Sequence, residues 1–227
     1  MQQTPLIAEM TSARNLLAYG VRVVRTGAFL DTTRDPILTM LSVGMEKLYK
    51  LTLGLDSLDT DGRWPSTAAM KQLGHGLAPM HDLVMTTIRR RTRDSSPYVQ
   101  ELIAQVEDDL CVMPIIRTLD VYGRMGRFYY LDKLGDTSQA VNPDAVWDDV
   151  EHAARTDPDV SALFDRALAD VNDNAIWDAL TRALHNRIAD SVERTWTMIA
   201  VVGRNHALGE TGTVFGFEIH PSAVGRQ

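Results

Sequence analysis

The amino-acid sequence predicts an all-α protein, and three observations support this fold class. Apolar residues recur at intervals of three and four positions over most of the 227 residues, as on the buried face of amphipathic helices. Proline follows Asp or Ser at several positions where such a segment begins, which is a common start of a helix. Alternating apolar and polar residues, which would indicate strands, are confined to the glycine-rich C-terminal end. We therefore expect an antiparallel helical bundle with a C-terminal helical extension and a short extended tail.

The first part of the chain is predicted to form four helices. Their expected limits are residues 5–25, 35–55, 66–91 and 97–134. Asp35 before Pro36 predicts the start of the second helix, because Asp can cap it and proline needs no N–H partner at the first position. Glycines and a proline within residues 74–79 are expected to interrupt the third helix, and Pro114 is expected to kink or divide the fourth.

The second part of the chain is strongly acidic. Residues 142–180 contain ten Asp and Glu residues against two arginines, and they follow a turn-rich connection. A final long helix is predicted over residues 174–208, where apolar residues follow one face. These changes in composition predict three regions. They are a helical bundle over residues 1–140, an acidic helical extension packed on it over residues 141–208, and a C-terminal tail over residues 209–227.

Composition limits the classes of function. The formal net charge of −7 would repel phosphate on average, so we do not expect the whole surface to bind nucleic acid or anionic membranes. Cys111 is the only cysteine, which excludes an intrachain disulfide and fits a reducing cytoplasm. Acidic and apolar neighbours would raise the pKa of its thiol, so we expect Cys111 in the core. The sequence has no run of about 18 apolar residues and no signal-peptide pattern at its start, and we expect a cytoplasmic protein.

The segment "MKQLGHGLAPMHDL" contains two of the six histidines, His75 and His81. On an ideal helix six residues turn the chain by about 600°, so the two imidazoles would lie about 120° apart. A zinc-binding pair needs histidines four residues apart, and the other histidines show no ligand spacing either. We therefore predict no metal site and no cofactor, and we expect both histidines to bond to neighbouring helix ends.

Two clusters of basic residues are candidate phosphate or RNA sites. The first cluster comprises Arg89, Arg90, Arg91 and Arg93. It lies at a predicted helix C-terminus, where the helix dipole alone would also favour cations. In the second cluster, Arg124 and Arg127 lie among aromatic residues in "YGRMGRFYYLDKLG". Basic residues placed among aromatic ones can bind single-stranded nucleic acid, the former through its phosphates and the latter by stacking on its bases. The alternative is that the aromatic residues pack in the core.

A third polar cluster is found in "VGRNHALGETG", where Arg204, Asn205 and His206 precede two glycines. It is either a ligand or reaction site, or a helix C-terminus with a hydrogen-bonded histidine. Arginine can stabilise a phosphorane and histidine can transfer a proton. Arg124, Arg127 and His206 are therefore the candidate catalytic residues.

Two segments, "VGMEKLYKLTLGL" and "MKQLGHGLAPMHDLV", resemble bacterial proteins of the HEPN family (higher eukaryote and prokaryote nucleotide-binding). In that all-helical family, a helix with a Glu-Lys-x-x-Lys pattern is commonly followed by a helix with a Gly-His-x-Leu segment. The resemblance covers residues 5–134. It implies a helical bundle that often dimerises, and a role as an RNA-cutting toxin or as a component of defence and abortive-infection systems.

The sequence lacks the nuclease motif of that family. In the motif, an arginine precedes the catalytic histidine with four to six residues between them. The positions that would supply this arginine are 68–70, 74–76, 145–147, 178–180, 199–201 and 213–215, and none holds an arginine. The resemblance therefore implies the helical fold, and His75 is not carried over as a catalytic residue.

These observations lead to competing hypotheses of function. The first is a non-catalytic HEPN-like interaction or regulatory protein of a bacterial defence or toxin–antitoxin system. The second is an RNA-directed ribonuclease with a non-standard active site, and the third is a small-molecule-binding bundle with a pocket near His75. A protein partner or RNA is compatible with the first two hypotheses, whereas a membrane is not.

The distribution of charge predicts a homodimer. Basic residues at 89–93 and 124–133 lie in the first part of the chain, and the acidic residues lie at 142–180. Opposite potentials on one molecule attract a second copy across a two-fold axis. The alternative is that the acidic region folds back on the basic residues of its own chain and leaves a monomer.

Overall fold

The computed structural model describes residues 5–26, 31–135 and 141–225. Over these ranges the chain is almost entirely helical and contains no strand, which confirms the predicted all-α class. The helices are α1 (Pro5–Arg25), α2 (Asp31–Asp61), α3 (Thr67–Gln72), α4 (Leu77–Arg91), α5 (Pro97–Glu107), α6 (Val112–Arg124), α7 (Tyr129–Leu134), α8 (Pro143–Arg155), α9 (Pro158–Ala169), α10 (Asn174–Arg204) and α11 (Gly209–Ile219). Two short 3₁₀ turns cover Gly126–Phe128 and Pro221–Ala223.

The predicted limits of α2 need correction at both ends. Helix α2 begins four residues earlier than predicted and contains Pro36, which is exposed near the start of the helix, where solvent reaches the backbone. It also continues to Asp61 rather than ending at Leu55. Of the two alternatives predicted for Pro114, a kink or a division of the fourth helix, the structure has the division. The chain divides before it, and Pro114 lies in the first turn of α6, where its missing N–H removes no hydrogen bond.

The prediction of an extended C-terminal tail is wrong, because residues Gly209–Ile219 form helix α11. The apparent alternation in this segment also fits a helical period. Gly212, Phe215, Gly216 and Ile219 recur at three and four positions and are all buried. The C-terminal backbone of α11 is bound by other helices. Arg14 donates to the Glu218 carbonyl at 2.9 Å, and the Trp196 indole donates to the Ile219 carbonyl at 2.6 Å.

Two glycines let α10 and α11 cross at close range. A Cβ atom at Gly203 would lie 2.7 Å from the Gly212 carbonyl oxygen. A Cβ atom at Gly216 would collide with the Ala200 carbonyl oxygen and the Arg204 amide nitrogen. Backbone therefore meets backbone at this crossing, and only glycine leaves enough space at either position.

The main hydrophobic core contains residues from before and after residue 140, where the sequence predicts the boundary between the helical bundle and the acidic extension. Met10, Tyr49, Trp147, Trp196 and Phe215 belong to this one cluster of buried side chains. A smaller cluster lies between α9 and α10, around Val160, Ala167 and Leu180. The acidic region therefore packs on the first helices, while the limits of the three predicted regions stay predictions.

Across the ranges that the structure describes, none of the helices combines the length and the apolar character needed to cross a lipid bilayer.

Candidate functional site

Most of the arginines at the end of α4 are held by acidic residues of α2 and α5. The ion pairs are Arg89 with Glu107, Arg90 with Asp56, and Arg91 with Asp56 and Asp59. Arg93 is exposed and has no ion pair within the described part of the chain. Because carboxylates already neutralise three of the four cations, little net positive charge remains here to attract phosphate.

The second basic cluster is also partly neutralised. Arg124 pairs with Asp120 one helical turn earlier in α6, and the Asp120 side chain is buried. Arg127 lies in the 3₁₀ turn Gly126–Phe128, and its side chain is outside the description. Of the neighbouring aromatic residues, Tyr122 packs in the core, whereas Tyr130 is exposed. Core packing therefore accounts for only part of this aromatic cluster.

His206 lies in the connection between α10 and α11, in the left-handed backbone region with a φ of 59°. The hydroxyl of Thr213 lies 2.9 Å from its Nδ1 atom. Arg204, at the end of α10, donates to the Gly216 carbonyl at 3.1 Å and covers the Phe217 ring at 4.7 Å. These contacts join two helices. No hydrogen bond or ion pair among the described residues brings His206 together with Arg124.

His75 and His81 have different environments. His75 is exposed in the break between α3 and α4, and its Nδ1 atom lies 3.0 Å from the Glu46 carboxylate, which also pairs with Lys50. His81 is buried in α4, with only 6% of its surface exposed. Its Nδ1 atom lies 2.6 Å from the hydroxyl oxygen of Tyr49. The expected bonds to helix ends are therefore replaced by side-chain partners on α2.

The contact with Tyr49 fixes the tautomer of His81. Complete burial raises the pKa of Tyr49 far above its ordinary value, so the phenol keeps its proton. Within the described part of the chain that proton has no other acceptor, and it is therefore donated to Nδ1 of His81. Burial lowers the pKa of His81, Asp82 opposes this shift and Arg89 adds to it. At neutral pH the imidazole is uncharged and carries its own proton on Nε2.

A cleft of about 390 Å³ opens beside His81, between α4, α5 and the beginning of α6. Polar groups on its walls include Asp82, Arg89, Glu107 and Asp109. Apolar side chains, among them Met85 and Met113, form the rest of its lining. The sequence suggested a pocket near His75. The structure places this cleft at His81 instead, because α4 begins at Leu77 and leaves His75 outside the helix.

Asp109, on one wall of the cleft, is the centre of a buried polar network. Its side chain is only 1% exposed. It accepts hydrogen bonds from Arg187 at 2.6 Å, from the Ser191 hydroxyl at 2.8 Å and from the Cys111 amide at 2.9 Å. Arg194 also pairs with it, and Arg187 reaches on to Asp157, which caps α9. This carboxylate therefore connects the turn between α5 and α6 to α10 and to the start of α9.

The electrostatics of this network keep Asp109 ionised. Burial alone would raise the pKa of the carboxyl group. The hydrogen bonds from Arg187, the Cys111 amide and Ser191 outweigh that effect and hold the pKa below its ordinary value. Burial also raises the pKa of the Cys111 thiol, which fits the expected core role of this cysteine rather than a nucleophilic one.

Sequence reasoning missed this network. Asp109 appears in the sequence as one of several acids in "QVEDDLC", and nothing in that run separates a buried carboxylate from its exposed neighbours. The only signal within the sequence was local, since an Asp just before an apolar helix can accept a hydrogen bond from the amide two residues later, as Asp109 does from Cys111. The partners Arg187 and Arg194 are about 80 residues away and could not be paired with it.

An exposed apolar surface lies at residues 125–134, which we call segment 125–134. Its exposed large apolar residues are Met125, Phe128, Tyr130, Leu131 and Leu134. Leu131 and Leu134 are 65% and 86% exposed, although both lie on helix α7. An apolar cluster of this kind on the surface is typical of an interface.

The acidic region presents a surface of the opposite charge. Its exposed acidic residues within the described part of the chain are Asp148, Asp149, Asp159, Asp165, Asp170 and Asp178. Leu168 and Val171 are also exposed, at the end of α9 and in the following turn. We call the area around Asp165, Leu168, Asp170 and Val171 the α9 surface. It combines apolar side chains with negative charge.

Comparison of the chain with protein-family models, with characterised proteins and with solved structures finds no match. The fold and the site therefore define a class only, which is an all-α helical protein with a half-polar cleft beside a buried histidine. Its HEPN-like identity stays a prediction from the two sequence segments.

Proposed function

We propose that this chain is a non-catalytic interaction or regulatory protein of HEPN-like helical architecture, and that it functions as a homodimer. The observation that carries the proposal is segment 125–134, where large apolar side chains are exposed on a short helix. Burying this surface against a partner would be favourable by about 25 cal/mol per Å² of apolar area. Membership of a bacterial defence or toxin–antitoxin system is part of the same proposal.

The partner that best fits segment 125–134 is a second copy of the chain. The segment contains Arg127 and Lys133 against one acid, Asp132, so its formal net charge is +1 (2 − 1). The α9 surface offers exposed Leu168 and Val171 with Asp165 and Asp170 beside them. In a two-fold dimer each such contact occurs twice, because the segment of either copy meets the α9 surface of the other. Apolar area and opposite charges then coincide in one interface.

The ion pairs of the structure support this partner over masking within one chain. The acids that pair with the basic clusters are Asp56, Asp59, Glu107 and Asp120. All of them lie outside residues 142–180. The acidic region therefore keeps exposed carboxylates that can pair with a second molecule.

A double substitution in segment 125–134 tests the dimer. We expect light scattering at ~0.15 M salt to give about twice the 25.3 kDa mass of the chain. Leu131→Glu with Leu134→Glu should reduce it to the monomer mass, because two charges would enter an apolar contact. Both side chains are largely exposed, so the variant should keep its helical content by circular dichroism.

The matched control is Tyr98→Glu with Val214→Glu, which adds the same two charges at exposed apolar positions of α5 and α11. This control should remain a dimer. A wild-type mass near 25 kDa throughout the micromolar range, or a segment variant that stays dimeric, would show that the proposed interface is wrong.

The non-catalytic part of the proposal is tested with RNA. We expect no cleavage when the purified protein is incubated with total RNA, since His206 bonds to Thr213 and most arginines of the two clusters are held by carboxylates, namely Arg89, Arg90, Arg91 and Arg124. His206→Ala serves as the control for contaminating nuclease. Cleavage by the wild type that disappears in the His206→Ala variant would instead establish the ribonuclease.

A further inference from the structure

The cleft beside His81 contains a negative charge that the protein does not compensate. Two of its three carboxylates have cationic partners: Glu107 pairs with Arg89, and Asp109 pairs with Arg187 and Arg194. Asp82, which follows His81 on α4, has no ion pair or hydrogen bond from its side chain within the described residues. A cation in the cleft would therefore meet an unpaired carboxylate, whereas an anion would be repelled.

The cleft also offers a fixed hydrogen-bond donor. The Tyr49 hydroxyl donates its proton to Nδ1 of His81. The Nε2–H group therefore remains as the hydrogen-bond donor that His81 can offer to a ligand in the cleft. Tyr49 is completely buried, and the imidazole is therefore held in one orientation before a ligand arrives. A donor that is already ordered saves the entropy of ordering it on binding.

The remaining wall of the cleft is apolar. It consists of Met85 on α4, Val106 at the end of α5, and Val112 and Met113 at the start of α6. Methionine side chains adapt their shape to a bound group. A volume of about 390 Å³ falls within the range of sites that hold small organic molecules.

We infer that this cleft is a binding site for a small organic cation, a molecule with a protonated amine, an apolar body and a hydrogen-bond-accepting oxygen. The amine pairs with Asp82, the oxygen accepts the Nε2–H proton of His81, and the apolar body contacts Met85, Val112 and Met113. Neither the dimer nor the proposed regulatory role is needed for this inference.

The test uses phenylalaninamide as the probe, because it combines a protonated amine, an amide oxygen and an aromatic body. We expect isothermal titration calorimetry to show saturable binding to the full chain. 3-Phenylpropionamide, which lacks the amine, should bind up to about fivefold more weakly, the factor that corresponds to loss of one exposed charge pair. 3-Phenylpropanoate, an anion, should not bind.

Two variants locate the site. Asp82→Asn should weaken phenylalaninamide binding by up to about fivefold, and it should fold normally because Asp82 is exposed. Asp94→Asn, which removes the same charge just after α4 and outside the cleft, should leave binding unchanged. The ¹⁵N resonance of His81 Nε2 should shift on titration of the wild type with the probe.

The outcomes that overturn the inference are distinct from those that overturn the dimer. No saturable binding, equal binding of phenylalaninamide to wild type and Asp82→Asn, or an unchanged His81 resonance would each reject the cleft as the site. The variant Leu131→Glu with Leu134→Glu should bind phenylalaninamide as the wild type does, whatever its oligomeric state.

Discussion

Replacement of Asp109 by asparagine is expected to lower the free energy of unfolding by about 3–5 kcal/mol. The asparagine side chain fills the same space, but Arg187 and Arg194 would then lack their buried counter-charge. Urea unfolding followed by circular dichroism measures this change. Asp108→Asn, at the exposed neighbouring position, is the matched control and should differ from the wild type by less than about 0.5 kcal/mol. A small effect at Asp109 would mean that the network contributes little to stability.

The free energies of unfolding of the wild type and of Asp109→Asn should depend differently on pH. The folded pKa of Asp109 lies below the ordinary carboxyl value of 3.8. Its stabilising contribution is therefore fully present above that value and is lost as the pH falls through the folded pKa. We expect the difference in stability between wild type and Asp109→Asn to be constant near neutral pH and to narrow below about pH 4. A difference that stays constant down to pH 2 would contradict the assigned pKa direction.

Substitution of Gly216 by alanine is expected to have the second-largest effect. The added methyl group would collide with backbone atoms of Ala200 and Arg204, and backbone cannot move aside as a flexible side chain can. Helices α10 and α11 would have to separate. We expect this to lower the free energy of unfolding by about 3 kcal/mol, which is the upper end of the usual range for an overpacked core. Thermal unfolding by differential scanning calorimetry measures the loss.

The control for this substitution is Val214→Ala, two residues earlier on α11, where the side chain is exposed. It should leave the midpoint of unfolding nearly unchanged. If Gly216→Ala also unfolds near the wild-type temperature, α10 and α11 do not cross as closely as the structure indicates.

The fold class could be predicted from local signals. Ser66 caps α3 through the Ala69 amide, and Gly74 adopts a φ of +63° in the break before α4. Both positions follow from residue chemistry that acts over a few residues. The C-terminal helix was missed for the converse reason. When α11 is considered alone, its glycines suggest an extended arm. Their role becomes clear only from the packing, because they allow the backbone of α10 to approach α11 closely.

The site was less predictable because its partners are distant in sequence. Arg90 is a predicted RNA ligand, and the sequence gives no sign that Asp56 of α2, 34 residues earlier in the chain, lies beside it. His81 was grouped with His75 by proximity in sequence, yet its partner is Tyr49 on α2. A single sequence records which groups are charged, whereas long-range packing decides which of those charges are already neutralised.

The position of α1 has a consequence for synthesis of the protein. This helix is synthesised before the helices that complete its packing: α2 covers one part of its buried face, α10 and α11 cover another, and Arg14 bonds to a backbone carbonyl 204 residues later. At a synthesis rate of roughly 5–20 residues per second, α11 is completed on the order of ten seconds or more after α1. Contacts so distant in sequence slow folding, and the part of α1 that α2 does not cover is then available to chaperones or to other nascent chains.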